Sequence, residues 1–183
     1  GSWQQGGRGP AGIADIHGVF KRAAITAIDE YLPRAVDPEV REWMADGLVD
    51  GQIHDAQLLL RGDLEDFPFG EHPEQGDFSV HGRYTGGIID YLPGDSKNLG
   101  WPRLTDMTGK VAMRRADLRL VADTATIWSA KDQPISLHDV KARIPDLEND
   151  SILAIQGDTT AQASAYLALM RHSPLGGLLD HAF

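Results

Sequence analysis

The segment Asp77 to Thr85 alternates polar and apolar residues. Phe78, Val80 and Tyr84 fall on one parity; Asp77, Ser79, His81 and Arg83 fall on the other. A period of two sends successive side chains to opposite faces of a β-strand. Val111 and Met113 repeat the pattern against Lys110 and Arg114. Ala116, Leu118, Leu120 and Ala122 repeat it against Asp117, Arg119 and Asp123. Gln52 to Arg61 carries Ala56, Leu58 and Leu60 on one parity. Most connections between these segments are too short for crossover helices, so neighbouring strands are expected to pair antiparallel. A sheet of that kind has one apolar face and one polar face.

The rest of the chain extends this reading. Residues 1–12 are Gly- and Gln-rich and read as a flexible arm, with Gly1-Ser2 as a tag-cleavage scar. Ile13 to Phe20 reads as a strand, followed by a helical turn from Ala24 to Tyr31 that Pro33 stops. Asp37-Pro38 reads as an N-cap followed by Pro at the first helical position. Val36, Val40, Trp43, Met44 and Leu48 then form one helical stripe, which Gly47 ends. In Ile135 to Ile144 the apolar parity changes between Leu137 and Val140, which predicts a bulge near His138-Asp139. Ile152 to Gln156 is apolar on both parities and is expected to be covered on both faces. Thr159 or Thr160 is expected to cap a last helix bearing Ala163, Tyr166, Leu167 and Met170, stopped at Ser173-Pro174. The sum is about six or seven strands and two or three helices. It predicts an α+β fold on a curved, mainly antiparallel sheet, with residues 13–183 as one segment. So few helices leave part of the apolar face open, as an interface or an apolar ligand surface.

One phrase occurs twice. Ile16-His17-Gly18 leads to Ile28-Asp29-Glu30-Tyr31-Leu32-Pro33, and Val80-His81-Gly82 leads to Ile88-Ile89-Asp90-Tyr91-Leu92-Pro93. Two related β-units suggest an array in which each unit covers its neighbour. That points away from a self-contained enzyme and towards a piece of a longer repetitive sheet.

Composition narrows the function classes. The net charge of −10 and the lack of a basic run argue against nucleic acid and against attraction to an anionic membrane surface. With no cysteine there is no disulfide, thiolate metal site or cysteine nucleophile. No stretch reaches the roughly 18 to 20 apolar residues of a membrane-spanning helix. Asp63, Glu65 and Asp66 could supply paired carboxylates for work on a glycoside. They also fit a polar turn ending a strand, with Asp as a local cap. His17 and His81 occupy matching places in the two repeated units, on the polar parity, and lack metal-ligand spacing. Gly6-Gly7-Arg8-Gly9 and Gly86-Gly87 lack the strand-to-helix context and the lysine of a phosphate loop. Trp101 is expected to anchor its loop on the sheet; Trp128 is a candidate stacker. No catalytic residue, metal or cofactor is expected.

A longer pattern carries a family resemblance. It runs through Tyr31-Leu32-Pro33, the Asp37-to-Leu48 helix with Trp43, and Gly51-Gln52-Ile53. It continues through Leu60-Arg61-Gly62-Asp63-Leu64-Glu65-Asp66-Phe67-Pro68-Phe69 and Ile89-Asp90-Tyr91-Leu92-Pro93-Gly94. It ends with Gly100-Trp101-Pro102, Ala142-Arg143-Ile144-Pro145-Asp146-Leu147 and Ser173-Pro174-Leu175. This order resembles the central region of the YhdP-type, AsmA-like envelope proteins of Gram-negative bacteria, relatives of TamB. The resemblance covers about residues 13–178, with a longer loop at Asp95 to Leu99.

The resemblance implies an inner-membrane-anchored parent protein with its bulk in the periplasm. It also implies a long β-groove that carries phospholipid acyl chains towards the outer membrane, without catalytic residues. Neighbouring groove segments of the parent protein would be partners, and cut sheet edges are expected to self-associate. The expected lipid-facing residues are Phe78, Val80, Tyr84, Val111, Met113, Leu118 and Leu120. An apolar face of this kind can instead be covered by the protein's own helices, giving a periplasmic scaffold or interaction module. A carbohydrate-active hydrolase using Asp63 to Asp66 is the third reading.

Overall fold

The computed structural model describes residues 1–28, 38–90, 101–149 and 152–174. The chain forms one open, antiparallel, eight-stranded sheet whose strands lie in sequence order. The strands are β1 (Ser2–Gln4), β2 (Ile13–Ala24), β3 (Leu48–Asp63), β4 (Gly76–Ile89), β5 (Leu104–Arg114), β6 (Asp117–Ala130), β7 (Gln133–Ile144) and β8 (Ala154–Thr160). Among the described residues two α-helices accompany them, α1 (Pro38–Gly47) and α2 (Ala163–His172), with 3-10 turns at Ile25–Ala27 and Leu64–Asp66. The fold is therefore α+β on a single open antiparallel sheet, as the alternation and short connections predict.

The count exceeds the expected six or seven because the first residues are not a loose arm. Ser2–Gln4 pairs antiparallel with Ile13–Asp15. The Trp3 indole N–H donates to the Ala11 carbonyl at 3.0 Å. The Arg8 backbone N–H donates to Asp63 Oδ2 at 2.7 Å, and the Arg8 guanidinium pairs with Asp66. A Gly-rich composition permits this tight return; it does not predict it.

Left-handed residues reset the parity of four strands. Asp55 (φ 52°), Gly86 (φ 62°), Asp106 (φ 53°) and Asp139 (φ 50°) all lie where the strand register slips. Asp tolerates this backbone better than most residues, because its short side chain can bond locally. Each slip turns the following residues over. On β7 Val140 and, in part, Leu137 are thus both buried though three positions apart, and on β6, whose register against β5 skips Asp123, so are their partners Ala122 and Ala125. The bulge expected at His138-Asp139 is one of this set. Extra residues of this kind bend a sheet and increase its twist.

Other expectations need correction. Ile152 to Gln156 is not covered on both faces. Ile152 and Leu153, which precede β8, are 70% and 50% exposed, and Ile155, on β8 at the edge of the sheet, is 63% exposed. Thr159 and Thr160 belong to β8, and Gln162 precedes α2 without a side-chain cap. The Thr159 hydroxyl instead meets Tyr166 Oη at 3.0 Å. The buried face of α2 centres on Ala165, while Leu167 is exposed. Tyr31, Pro33, Val36, Asp37, the Asp95–Leu99 loop, and the Tyr91-Leu92-Pro93 end of the second repeated unit lie outside the described residues.

The core has two centres on one face. One gathers Ile25, Tyr84, Met107, Ala122, Ala125 and Val140. The other gathers Ala14, Leu60, Phe69 and Phe78 under the turn that ends β3. Phe69 is wholly buried. Phe67 meets Phe78 edge-on at 4.9 Å and Phe69 at 6.2 Å. Opposed edge and face quadrupoles favour this geometry. Gly76 makes room for it, since a Cβ there would come within 2.5 Å of the Phe69 ring.

The opposite face is polar, and at this end of the sheet its charges alternate across strands. Asp15 faces His17 at 3.3 Å and Arg61 at 3.9 Å; Asp77 faces Arg114 at 3.7 Å and Arg115 at 3.4 Å. Asp117 accepts from Arg119 at 2.7 Å and Arg143 at 2.9 Å. Those two guanidiniums hold the Asp117 carboxyl well below the ordinary aspartate range.

Two predictions arise. Phe69→Ala removes a fully buried ring and is expected to cost about 3–5 kcal/mol, read from the urea midpoint. A carboxyl depressed in the folded state stabilises the fold above its unfolded pKa and loses that contribution as pH falls towards its folded value. Stability is therefore expected to decline below about pH 4, where unfolded aspartates begin to protonate. Asp117→Asn is expected to flatten that acid limb of the melting-temperature profile; an unchanged limb refutes the assignment.

Candidate apolar trough

Directly opposed residues of antiparallel strands share a face. Three rows cross the sheet on the apolar side. The first runs Gly18, Leu58, Val80, Met113, Leu118, Ile144. The second runs Gly82, Val111, Leu120, Ala142, Ile155. The third runs Tyr84, Gly109, Ala122, Val140. The apolar parities read separately along β4, β5 and β6 thus fall on one face and touch.

Its two ends are filled by the chain itself. Phe78 is 7% exposed beneath Phe67. Tyr84 is 5% exposed, and its hydroxyl crosses β5 to donate to the Val121 carbonyl at 2.9 Å. Gly109 permits that crossing: a Cβ there would strike the Val121 carbonyl and lie 2.9 Å from the tyrosine hydroxyl. Burial, with a smaller contribution from Asp123, pushes the hydroxyl above the ordinary tyrosine range, so it stays a donor. Val80, Val111, Met113, Leu118 and Leu120 occupy the middle and are half-buried. An apolar cavity of about 90 Å³ opens beside them, bounded by Ile25, Leu48, Ile53, Tyr84, Met107 and Leu120.

The groups suited to chemistry lie elsewhere. Asp63 accepts from the backbone N–H groups of Arg8 and Glu65, at 2.7 and 3.2 Å, which lower its pKa. It is a cap of the Leu64–Asp66 turn. His17 lies opposite Leu59 and His81 opposite Gln57, on different strands of the polar face. Among the described residues no group of three or more His, Asp or Glu side chains is placed to hold a metal ion. Trp128 is half-exposed and donates to the Thr105 hydroxyl at 3.3 Å; Trp101 is half-buried.

Sequence parity did not single out Leu58, Ala142 and Ile144 as trough residues. Their alternation was visible, but only the register shows that they continue the rows of Val80 and Leu120. The Tyr84–Gly109 crossing had a faint signal, a glycine inside an otherwise regular strand pattern.

Among the described residues no helix is long and apolar enough to cross a membrane. No curated protein and no solved structure matches the chain. The family model described as YhdP protein matches residues 1–183, its whole length. An open antiparallel meander with an apolar floor, ended by the Arg61-to-Phe69 turn on which the resemblance rests, is thus the form taken by a chain that belongs to the YhdP family.

Proposed function

We propose that this chain is a non-enzymatic segment of a periplasmic lipid conduit in the bacterial envelope, whose apolar floor shields phospholipid acyl chains. The observation that carries the reading is the unbroken apolar row from Leu58 through Val80, Met113 and Leu118 to Ile144, on a sheet that does not close. Burying acyl methylenes on such a floor is worth about 0.8 kcal/mol each. The headgroup stays at the wet rim, so no covalent chemistry is needed. From β4 to β7 the floor is about 14 Å wide at the usual strand spacing. Val80, Val111, Met113, Leu118 and Leu120 form its open part; Phe78 and Tyr84 bound it. The parent protein, its inner-membrane anchor and the direction of transport towards the outer membrane belong to the same proposal.

A second reading has its own support. Phe69 over Phe78 and the 3-10 turn with Ile25 near Tyr84 cover parts of the face, as an interaction module with a closed core would require. Native mass spectrometry of the purified chain separates the two: bound phospholipid supports the conduit, and lipid-free protein from lipid-rich extracts supports the module.

Val80→Asp or Leu118→Asp puts an unpaired carboxylate on the floor, at a desolvation cost of several kcal/mol against an acyl chain. Loss of lipid co-purification and of envelope function is expected, with circular dichroism and melting followed in parallel. A folded variant that still carries lipid sinks the assignment at that position.

The edges generate a further expectation. Among the described residues no strand pairs the outer side of β8, and β1 leaves most of β2 unpaired on the other. Such edges pair with further strands. Neighbouring segments of the parent protein would occupy them, and the isolated chain is expected to self-associate with rising concentration in sedimentation velocity. A monomer throughout refutes this.

A further inference from the structure

The polar face carries a second pattern beside its alternating ion pairs. Reading across directly opposed positions, Arg22 meets His54, His54 meets Arg83, and Arg83 meets Lys110. Lys110 then meets Val121, and Val121 meets Lys141. Arg22, Arg83, Lys110 and Lys141 are exposed, and among the described residues none has a carboxylate within ion-pairing distance. Like charges placed directly opposite destabilise a sheet. The other end of this same face avoids that by alternating sign, as Asp15 with Arg61 and Asp77 with Arg114. A chain of net charge −10 thus sets one like pair, Arg83 with Lys110, directly opposed, in a row whose outer cations, Arg22 and Lys141, stand one strand further out beyond His54 and Val121.

We infer that this row is a docking surface for an extended acidic peptide segment, laid across the strands. Its four cations span about 24 Å from β2 to β7 at the usual strand spacing. The row is narrow. Asp123 and Asp139 lie two residues further along β6 and β7, between the partners Ala122–Val140 and Thr124–His138, and Asp55 follows His54. Those carboxylates would press against a flat anionic bilayer, whereas a single chain fits between them and the Asp117 cluster. Stacking aromatics, which single-stranded nucleic acids use, are absent from the row. Val121 offers an apolar seat between two lysines, which suits a mixed acidic and apolar peptide. Asp117 occupies Arg119 and Arg143, leaving the row itself unneutralised.

The test uses the 183-residue chain and a fluorescent poly-glutamate peptide, followed by anisotropy. The parent is expected to bind, and to bind less as salt rises. The variant Arg83→Glu, Lys110→Glu, Lys141→Glu is expected to weaken binding by about tenfold or more. A control away from the row, Lys131→Glu with Arg171→Glu, is expected to bind nearly as the parent, where the double variant Lys110→Glu, Lys141→Glu of equal charge change loses most of its binding. Since Lys110→Glu alone places opposite charges across β4 and β5, its melting temperature is expected to match or exceed the parent's. Should the triple variant melt early, Lys110→Gln gives the same reading with no change of sign. Absence of parent binding at low salt, or equal loss in row and control variants, overturns the proposal. Capture by vesicles rich in anionic lipid without capture of poly-glutamate overturns it in favour of a membrane surface.

Discussion

Everything in this sheet depends on which side of the pleat each residue faces. A strand has no other way to separate floor from outer wall, and a slip of one residue exchanges them. Here the parity is reset by left-handed residues at Asp55, Gly86, Asp106 and Asp139. On β7 the reset at Asp139, together with the slip at Asp123 on β6, lets Leu137 and Ala125 join the core of Val140 and Ala122. Without it, one half of each long strand would turn its apolar residues to water. A sheet of long strands therefore keeps one apolar side by spending single residues on local turns rather than on loops.

The two core centres follow from that arrangement. Each lies on the apolar side and is closed by a short piece of chain instead of a second layer. At one end Phe67 and Phe69 fold back over Phe78, held by Asp63 as cap and by Arg8 from the N-terminal residues. At the other end Tyr84 lies flat across the glycine gap at Gly109. Between them the side chains are only half-buried.

Much of this could be read from the residues. Alternation in Phe78–Val80, Val111–Met113 and Leu118–Leu120 reports the face of each strand, and short connections report antiparallel order. Parity breakage near Asp139 was visible because apolar residues flank it on both sides. Asp55 gave no such sign, since its neighbours are polar or small, and Asp106 has an apolar neighbour, Met107, on one side only. Burial of the segment around Ile155 was misjudged for a general reason: apolar residues on both parities fit a covered strand and an exposed edge equally well. The cation row was invisible because Arg83, Lys110 and Lys141 are scattered along the sequence and meet only through register. An acidic net charge hid it further.

The sheet runs β1 to β8 without one crossover. Every strand pairs with the strand just before it in sequence, and the longest connection, from β2 to β3, runs over residues 25–47 and holds a 3-10 turn and α1, so loop-closure costs stay moderate. Such a sheet can zip up in the order in which its chain arrives, one hairpin after another. No strand must wait for a distant one to complete its ladder. Nothing in the order of the described strands fixes where the zipping stops, and a further hairpin at either end would leave those already formed undisturbed.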